Sequence, residues 1–238
     1  LLYTSISFSQ VPNYVPTNGL VGWWPFNGNA DDISGNNNNG TVIGGATLVT
    51  DHLGNPLSAY EFDGIDDQIN VSHENSLLFG NNEISISVWI YIEQFPSNNK
   101  GQYFIAKQTN AGSDQNGFHI NVTDYANYER LLYRYKGGPS LPQTTTFLEL
   151  ADLPIGTFFH LVAVTNMTEN TDKLYINGNL LASNTPVTSI GGMNTSDLIF
   201  GWAVSSAQTE PFNGVLDDIA IYNRPLTKCE IQDLYHAE

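Results

Sequence analysis

Sulfur and positive charge are both scarce in this chain. Its 238 residues include one cysteine, Cys229. No intrachain disulfide can form, and the thiol is expected to serve as packing in a C-terminal helix. Eight Lys and Arg face 24 Asp and Glu, for a formal charge of −16. Such a surface repels phosphate backbones and anionic lipid headgroups, which argues against nucleic acid and membrane-surface partners. No segment approaches the roughly 20 apolar residues of a membrane span, so membrane insertion is not expected. Catalytic signatures are missing too. The sequence has no HExxH, no CxxC and no GxSxG, which argues against a zinc enzyme or a nucleophile-elbow hydrolase.

What is present is alternation. In ISISVWIYI (84–92), Ile84, Ile86, Val88, Ile90 and Ile92 share one face, and Ser85, Ser87, Trp89 and Tyr91 the other. GFHINV (117–122) sets Phe118, Ile120 and Val122 against His119 and Asn121. FFHLVAVT, KLYING, DLIFG and GVLDDIAIYN read as further strands, with Gly, Asn, Asp and Pro clusters between them. Asn177-Gly178 is a two-residue hairpin signal. One segment reads as helix, PLTKCEIQDLYHA (225–237), with Thr227 and Glu230 placed for a capping box. With no internal repeat, the pattern predicts an all-β fold, a two-sheet antiparallel jelly-roll sandwich with one short C-terminal helix. Residues 19–238 form the domain. Residues 1–18 are either the remnant of a secretion segment or an arm opening with a strand, TSISFS. Low Lys with abundant Asn, Thr, Ser and Gly suits a secreted or cell-surface bacterial protein.

The loop NGNADDISGNN (27–37) crowds oxygen donors together without the spacing of an EF-hand. A calcium ion there must borrow ligands from elsewhere, and Asp217 or Asp218 in the closing strand and Asp63 or Asp66 in EFDGIDD are the candidates. The other reading is that Asp31 and Asp32 cap loop amides while the asparagines take left-handed backbone angles. Trp23 and Trp24, being adjacent, are expected to face opposite sides of their strand, and Tyr133 and Tyr135 to lie in the core beside Leu131.

Several ordered motifs are similar to a known pattern. LVGWWPFNGNADDISGNNNNGTVIGG, EISISVWIYI, FHLVAVTNMTENTDKLYINGNLLAS and FNGVLDDIAIYNRPLTKCEIQDLY resemble concanavalin A-like, laminin-G-like jelly-roll domains common in secreted bacterial proteins. The resemblance covers roughly residues 19 to 236. It implies a sandwich with one concave sheet, and a superfamily of lectins, carbohydrate-binding modules, adhesion domains and glucan hydrolases, many with a structural calcium. By its match to family endings it favours Asp217 as a ligand, giving Asp32, Asp63 and Asp217 as the metal candidates. The hydrolases of this fold carry E-x-D-x-x-E or E-x-D-x-E on one strand, and no strand here does. The chain is therefore expected to bind without catalysing.

Aromatic faces stack on the C–H faces of sugars, and Asn, Gln, Asp and Arg bind their hydroxyls. On that chemistry the ligand candidates are Trp202, Trp89, Tyr91, His119, Asn121 and Arg134. Each has a structural alternative, and Trp89 in particular can be covered by a loop or by the C-terminal helix. The partner is a polysaccharide or other glycan, or another surface protein, with assembly through residues 1–18 completing a neighbour's sheet edge. A glycoside hydrolase is the weakest alternative. An open face lined by Trp89, His119 and Trp202 favours sugar; a filled face favours assembly.

Overall fold

The computed structural model describes residues 10–79, 83–97, 100–109, 116–125, 128–136, 143–185, 194–205 and 208–236. The strand expected over TSISFS lies outside them. The strands are β1 (Leu20–Trp24), β2 (Gly40–Ile43), β3 (Thr47–Val49), β4 (Ala59–Asp63), β5 (Gln68–Val71) and β6 (Ile84–Ile92). They continue with β7 (Gly101–Gln108), β8 (Gly117–Tyr125), β9 (Tyr128–Lys136), β10 (Thr144–Glu149), β11 (Phe159–Asn166) and β12 (Thr171–Ile176). The chain closes with β13 (Asn179–Asn184), β14 (Leu198–Phe200), β15 (Val204–Ser205), β16 (Gln208–Thr209), β17 (Asn213–Tyr222) and helix α1 (Lys228–Tyr235).

The first sheet runs β13-β12-β11-β6-β17-β4-β3, with β1 also paired to β17; the second runs β10-β9-β8-β7-β14-β5-β2. All of these pairs are antiparallel, so the expected two-sheet sandwich forms. The inward rows interdigitate as one core that includes Trp24, Ile86, Val88, Ile90, Phe118, Ile120, Tyr133, Tyr135 and Phe200. Trp24 meets Phe200 edge-on at 5.0 Å.

The outer face of the first sheet is covered by the chain itself. Trp23, Val162, Val164, Ala220 and Tyr222 pack under Val15 from the N-terminal segment and under Ile231 and Leu234 from α1. This changes the character of β6. Its serine face, expected to be semi-polar, is buried: Ser85 Oγ donates to the Arg224 carbonyl and accepts the Leu226 N–H, and Ser87 Oγ bonds His160 Nε2 at 2.7 Å. Ser85 satisfies backbone groups that the leader of α1 brings down on the sheet, and Ser87 an imidazole of the neighbouring strand β11.

Local rules explain the connections. Asn177 and Gly178 both take positive φ (49° and 71°), as a tight hairpin between β12 and β13 requires. At α1, Thr227 accepts the Glu230 N–H and Glu230 Oε2 accepts the Thr227 N–H. Cys229, expected to pack, is instead exposed, because the helix buries the Ile231 and Leu234 side. Gly201 (φ 81°) turns the chain after β14; a Cβ there would lie 2.2 Å from the Phe62 ring. That turn sends the chain across the outer face of the second sheet, where Ala203 packs on Tyr103 and Ala106.

Candidate functional site

The asparagine-rich loop is a structural clasp. Asp32 Oδ1 accepts the Trp23 and Ser34 N–H groups and Oδ2 accepts that of Asn38. The Ile33 N–H bonds the Trp23 carbonyl, so the loop takes the place of a strand along the free edge of β1. Asn36 and Asn38 donate their amides to the Val21 carbonyl, Asn38 accepts Trp24 Nε1 on its own carbonyl, and Asn37 holds φ 59°. Backbone satisfaction accounts for these residues.

The metal candidates do not converge as expected. Among the described residues, two groups of three donors lie close together, His52/Asp217/Asp218 and Asp63/Asp66/Asp67, and Asp32 belongs to neither. At the first group β17 bulges between Asp217 and Ala220, with Asp218 at φ 46°. Asp217 Oδ1 accepts the Asp218 N–H and Oδ2 lies 2.9 Å from His52 Nδ1. Burial, then the nearby Asp51, pushes the Asp217 carboxyl up, burial and Asp217 push Asp218 up, and burial pushes His52 down. A mixed nitrogen and oxygen set departs from the all-oxygen shell of calcium. Asp63, Asp66 and Asp67 supply oxygen only, around a turn in which Asp67 Oδ2 accepts the Asp63 N–H.

Five of the six ligand candidates divide between the two sheets, and Trp202 follows β14. Trp89 and Tyr91 are on the first. Trp89 is 9% exposed, stacked at 3.9 Å on His52 and at 5.8 Å on Tyr235 of α1. Tyr91, half-buried, packs against Phe158. A single groove lined by Trp89, His119 and Trp202 therefore does not form, because β6 and β8 belong to different layers.

The second sheet does gather His119, Asn121 and Arg134. His119 pairs across β8–β9 with Arg134, and Asn121 with Leu132; Tyr103 of β7 pairs with Asn121. Gln108, Thr123 and Glu210 join them. Glu210 comes from the crossing segment, whose Ala203 packs on Tyr103 and Ala106. Trp202, half-buried, begins that segment and stacks on no other ring among the described residues. His119 Nδ1 bonds Gln108 Oε1 at 2.7 Å. Yet Gln108 Nε2, His119 Nε2, Asn121 Oδ1, Thr123 Oγ1, Arg134 Nε and Glu210 Oε2 are all buried without a hydrogen-bond partner. Buried polar atoms rarely lack partners, so six on one sheet face, closed from solvent, form an unusual concentration of unsatisfied polar groups. Arg134, carrying no ion pair among the described residues, sits over a small cleft with Gln108, His119 and Gln143. Burial, then Arg134, pushes His119 down to about 3, so its imidazole is neutral. Gln108 and Glu210 were not foreseen from the sequence; Gln108 alternates in register with Ala106, but only the crossing loop brings Glu210 here.

Burial pushes the Glu210 carboxyl from 4.5 up to about 7, against the Gly101 N–H that favours its charged form. A raised folded-state value gives stability present below the unfolded value and lost as pH rises through the folded one. Thermal melts are therefore expected to show wild-type protein losing stability between about pH 4.5 and pH 7 relative to Glu210→Gln. A constant difference between the two across that window would refute the assignment.

Three comparisons place the chain among known proteins. The model of a family described as the concanavalin A-like lectin/glucanases superfamily matches residues 63–232. Botulinum neurotoxin type F from Clostridium botulinum is 23% identical over 188 residues, 72% of this chain and 14% of the toxin. The receptor-binding domain of a botulinum neurotoxin C/D mosaic superposes with TM-score 0.71 at 17% identity, over 94% of this chain and 52% of that one. Domain 4 of an extracellular GH43 arabinanase from Geobacillus stearothermophilus, in complex with arabinotriose, gives TM-score 0.66 at 20% identity, over 91% and 98%. This chain thus spans a small part of the toxin and about half of the toxin binding domains.

Proposed function

Because the chain belongs to the concanavalin A-like lectin/glucanase superfamily, we propose that it is a non-catalytic, extracellular module that binds glycan through the outer face of its second sheet. Arg134, half-buried at its cleft with Gln108 and Gln143 and carrying no ion pair among the described residues, carries the reading, with the unpartnered His119 Nε2 and Asn121 Oδ1 beside it on β8. Structural neighbours with sugar or receptor ligands support it: the arabinanase domain is bound to arabinotriose, and a toxin binding domain to a sialyl glycan. The carboxylates also support binding without catalysis. Glu149 lies in one row with Arg130, Thr123 and Gly101, and Glu210 sits beside Gly101. Three strand spacings, about 14 Å, separate the ends of that row. Glycosidase carboxylates stand about 5–9.5 Å apart.

The test is a glycan array followed by titration of tryptophan fluorescence. Asn121→Ala and Arg134→Ala are each expected to weaken binding about tenfold, the loss of one well-made hydrogen bond to a charged or amide group. Trp202→Ala is expected to abolish the fluorescence change. A wild-type chain that binds no glycan on the array sinks the proposal.

The calcium part of the proposal rests on Asp63, Asp66 and Asp67, whose carboxylates converge as a hard cation prefers. Calcium is expected to raise the melting temperature and EDTA to lower it, with Asp66→Asn removing the difference; identical melts in both dispose of that part. A second reading, adhesion through protein contacts, is favoured by β13. It ends the first sheet with Leu180 and Leu181 50% and 46% exposed, an edge open to strand addition.

A further inference from the structure

Beyond the orphaned atoms, the same face carries a second feature at the far ends of β9 and β10. Tyr128, Arg130, Leu132 and Arg134 alternate on the outer side of β9, and Phe147 and Glu149 stand opposite Leu132 and Arg130 on β10. The Arg130 guanidinium carbon lies 4.3 Å from the Tyr128 ring centre and 4.1 Å from that of Phe147. Its Nε and Nη2 reach Glu149 Oε1 at 3.0 and 2.9 Å. Both rings nonetheless remain 56% and 41% exposed. A phenylalanine so exposed contributes little to the core. Arg130 holds the two rings through cation–π contacts, so the rotamer freedom a ligand would otherwise have to freeze is already reduced.

We propose that Tyr128, Arg130, Phe147 and Glu149 form a stacking subsite for one ring of a neutral polysaccharide, continuing the track from Asn121 and Arg134. This rests on the reading that the face binds glycan. An aromatic ring offers its face to the C–H side of a sugar, while the free guanidinium donors and the second carboxylate oxygen are placed for its hydroxyls. Charge selects the class of ligand. Glu149 neutralises Arg130, and the chain as a whole carries −16, so a uronate or sialate polymer meets repulsion without a free cation at this subsite. Four residue steps along the strand cover about 13 Å, so Arg130 and Arg134 are separated by the length of two or three sugar rings.

The experiment is calorimetric titration of the full chain with linear arabino-, xylo- and malto-oligosaccharides, and with polygalacturonate and sialyllactose. A neutral probe is expected to bind and the acidic ones not. Phe147→Ala and Tyr128→Ala should each weaken that binding about three- to tenfold, leave the melting temperature unchanged, and Phe147→Trp should restore it. If Asn121→Ala weakens binding while Phe147→Ala and Tyr128→Ala do not, the glycan reading stands and this subsite is wrong. Preferential binding of the acidic probes overturns the neutral assignment. If no probe binds, the glycan reading fails and takes the subsite with it.

Discussion

Asp32→Ala is expected to unfold the first loop and lower stability by about 3–5 kcal/mol, since three amides lose their acceptor and each buried orphan costs about 1–3 kcal/mol. For a chain of this size that corresponds to a drop of about 10 °C or more in melting temperature. The acceptors cannot be replaced locally. Trp23, Ser34 and Asn38 converge on one carboxylate that is itself buried, and the loop they close covers the edge of β1. Asp32→Asn should lose less, because one oxygen remains while the amide nitrogen faces N–H donors. The loss is expected to be the same in calcium and in EDTA. A calcium-dependent loss at Asp32 would mean that the carboxylate holds an ion, and a melt within 2 °C of wild type would remove its structural role.

The second large effect lies in the core. Tyr133 Oη and Thr165 Oγ1 lie 2.9 Å apart, Thr165 Oγ1 donates to Asp172 Oδ1 at 2.7 Å, and Tyr135 Oη donates to Asp172 Oδ2 at 3.0 Å. This chain of hydrogen bonds joins β9 of one sheet to β11 and β12 of the other. Burial pushes the Asp172 carboxyl up, and the two hydroxyls push it back down by bonding the charged form. Asp172→Ala removes the acceptor that both hydroxyls share and is expected to cost about 3–5 kcal/mol, as losing one member of a buried charged network does. Replacing the whole set, with Asp172→Leu, Thr165→Val, Tyr133→Phe and Tyr135→Phe, should recover most of that loss, because the hydroxyls that used the carboxylate are then gone with it. Chemical denaturation distinguishes the two. If the fourfold variant is no more stable than Asp172→Ala, packing rather than hydrogen bonding carries the site.

These two aspartates show how far the sequence could be read. Asp32 was legible as a loop residue with two readings, and the hydrogen bonds decide for backbone capping. Asp172 gave no signal, because an acid just before KLYING looks like a solvated strand end. Its partner on β9, Tyr135, is 37 residues away, and only the stacking of the sheets brings the two within 3.0 Å. Trp89 illustrates the same limit. Alternation placed it correctly on the outer side of β6, but whether that side meets water depends on α1, whose Tyr235 covers it.

By itself the sequence determined the long alternating strands and their inward rows, the Asn177-Gly178 hairpin, the capping box of α1 and the two-sheet architecture, because side-chain period and turn chemistry are properties of neighbours in the chain. Only the tertiary structure decided which outer face is closed and which carries unsatisfied polar atoms. That choice follows from where α1 and the segment around Ala203 cross the sheets, a matter of long-range packing that no local pattern encodes.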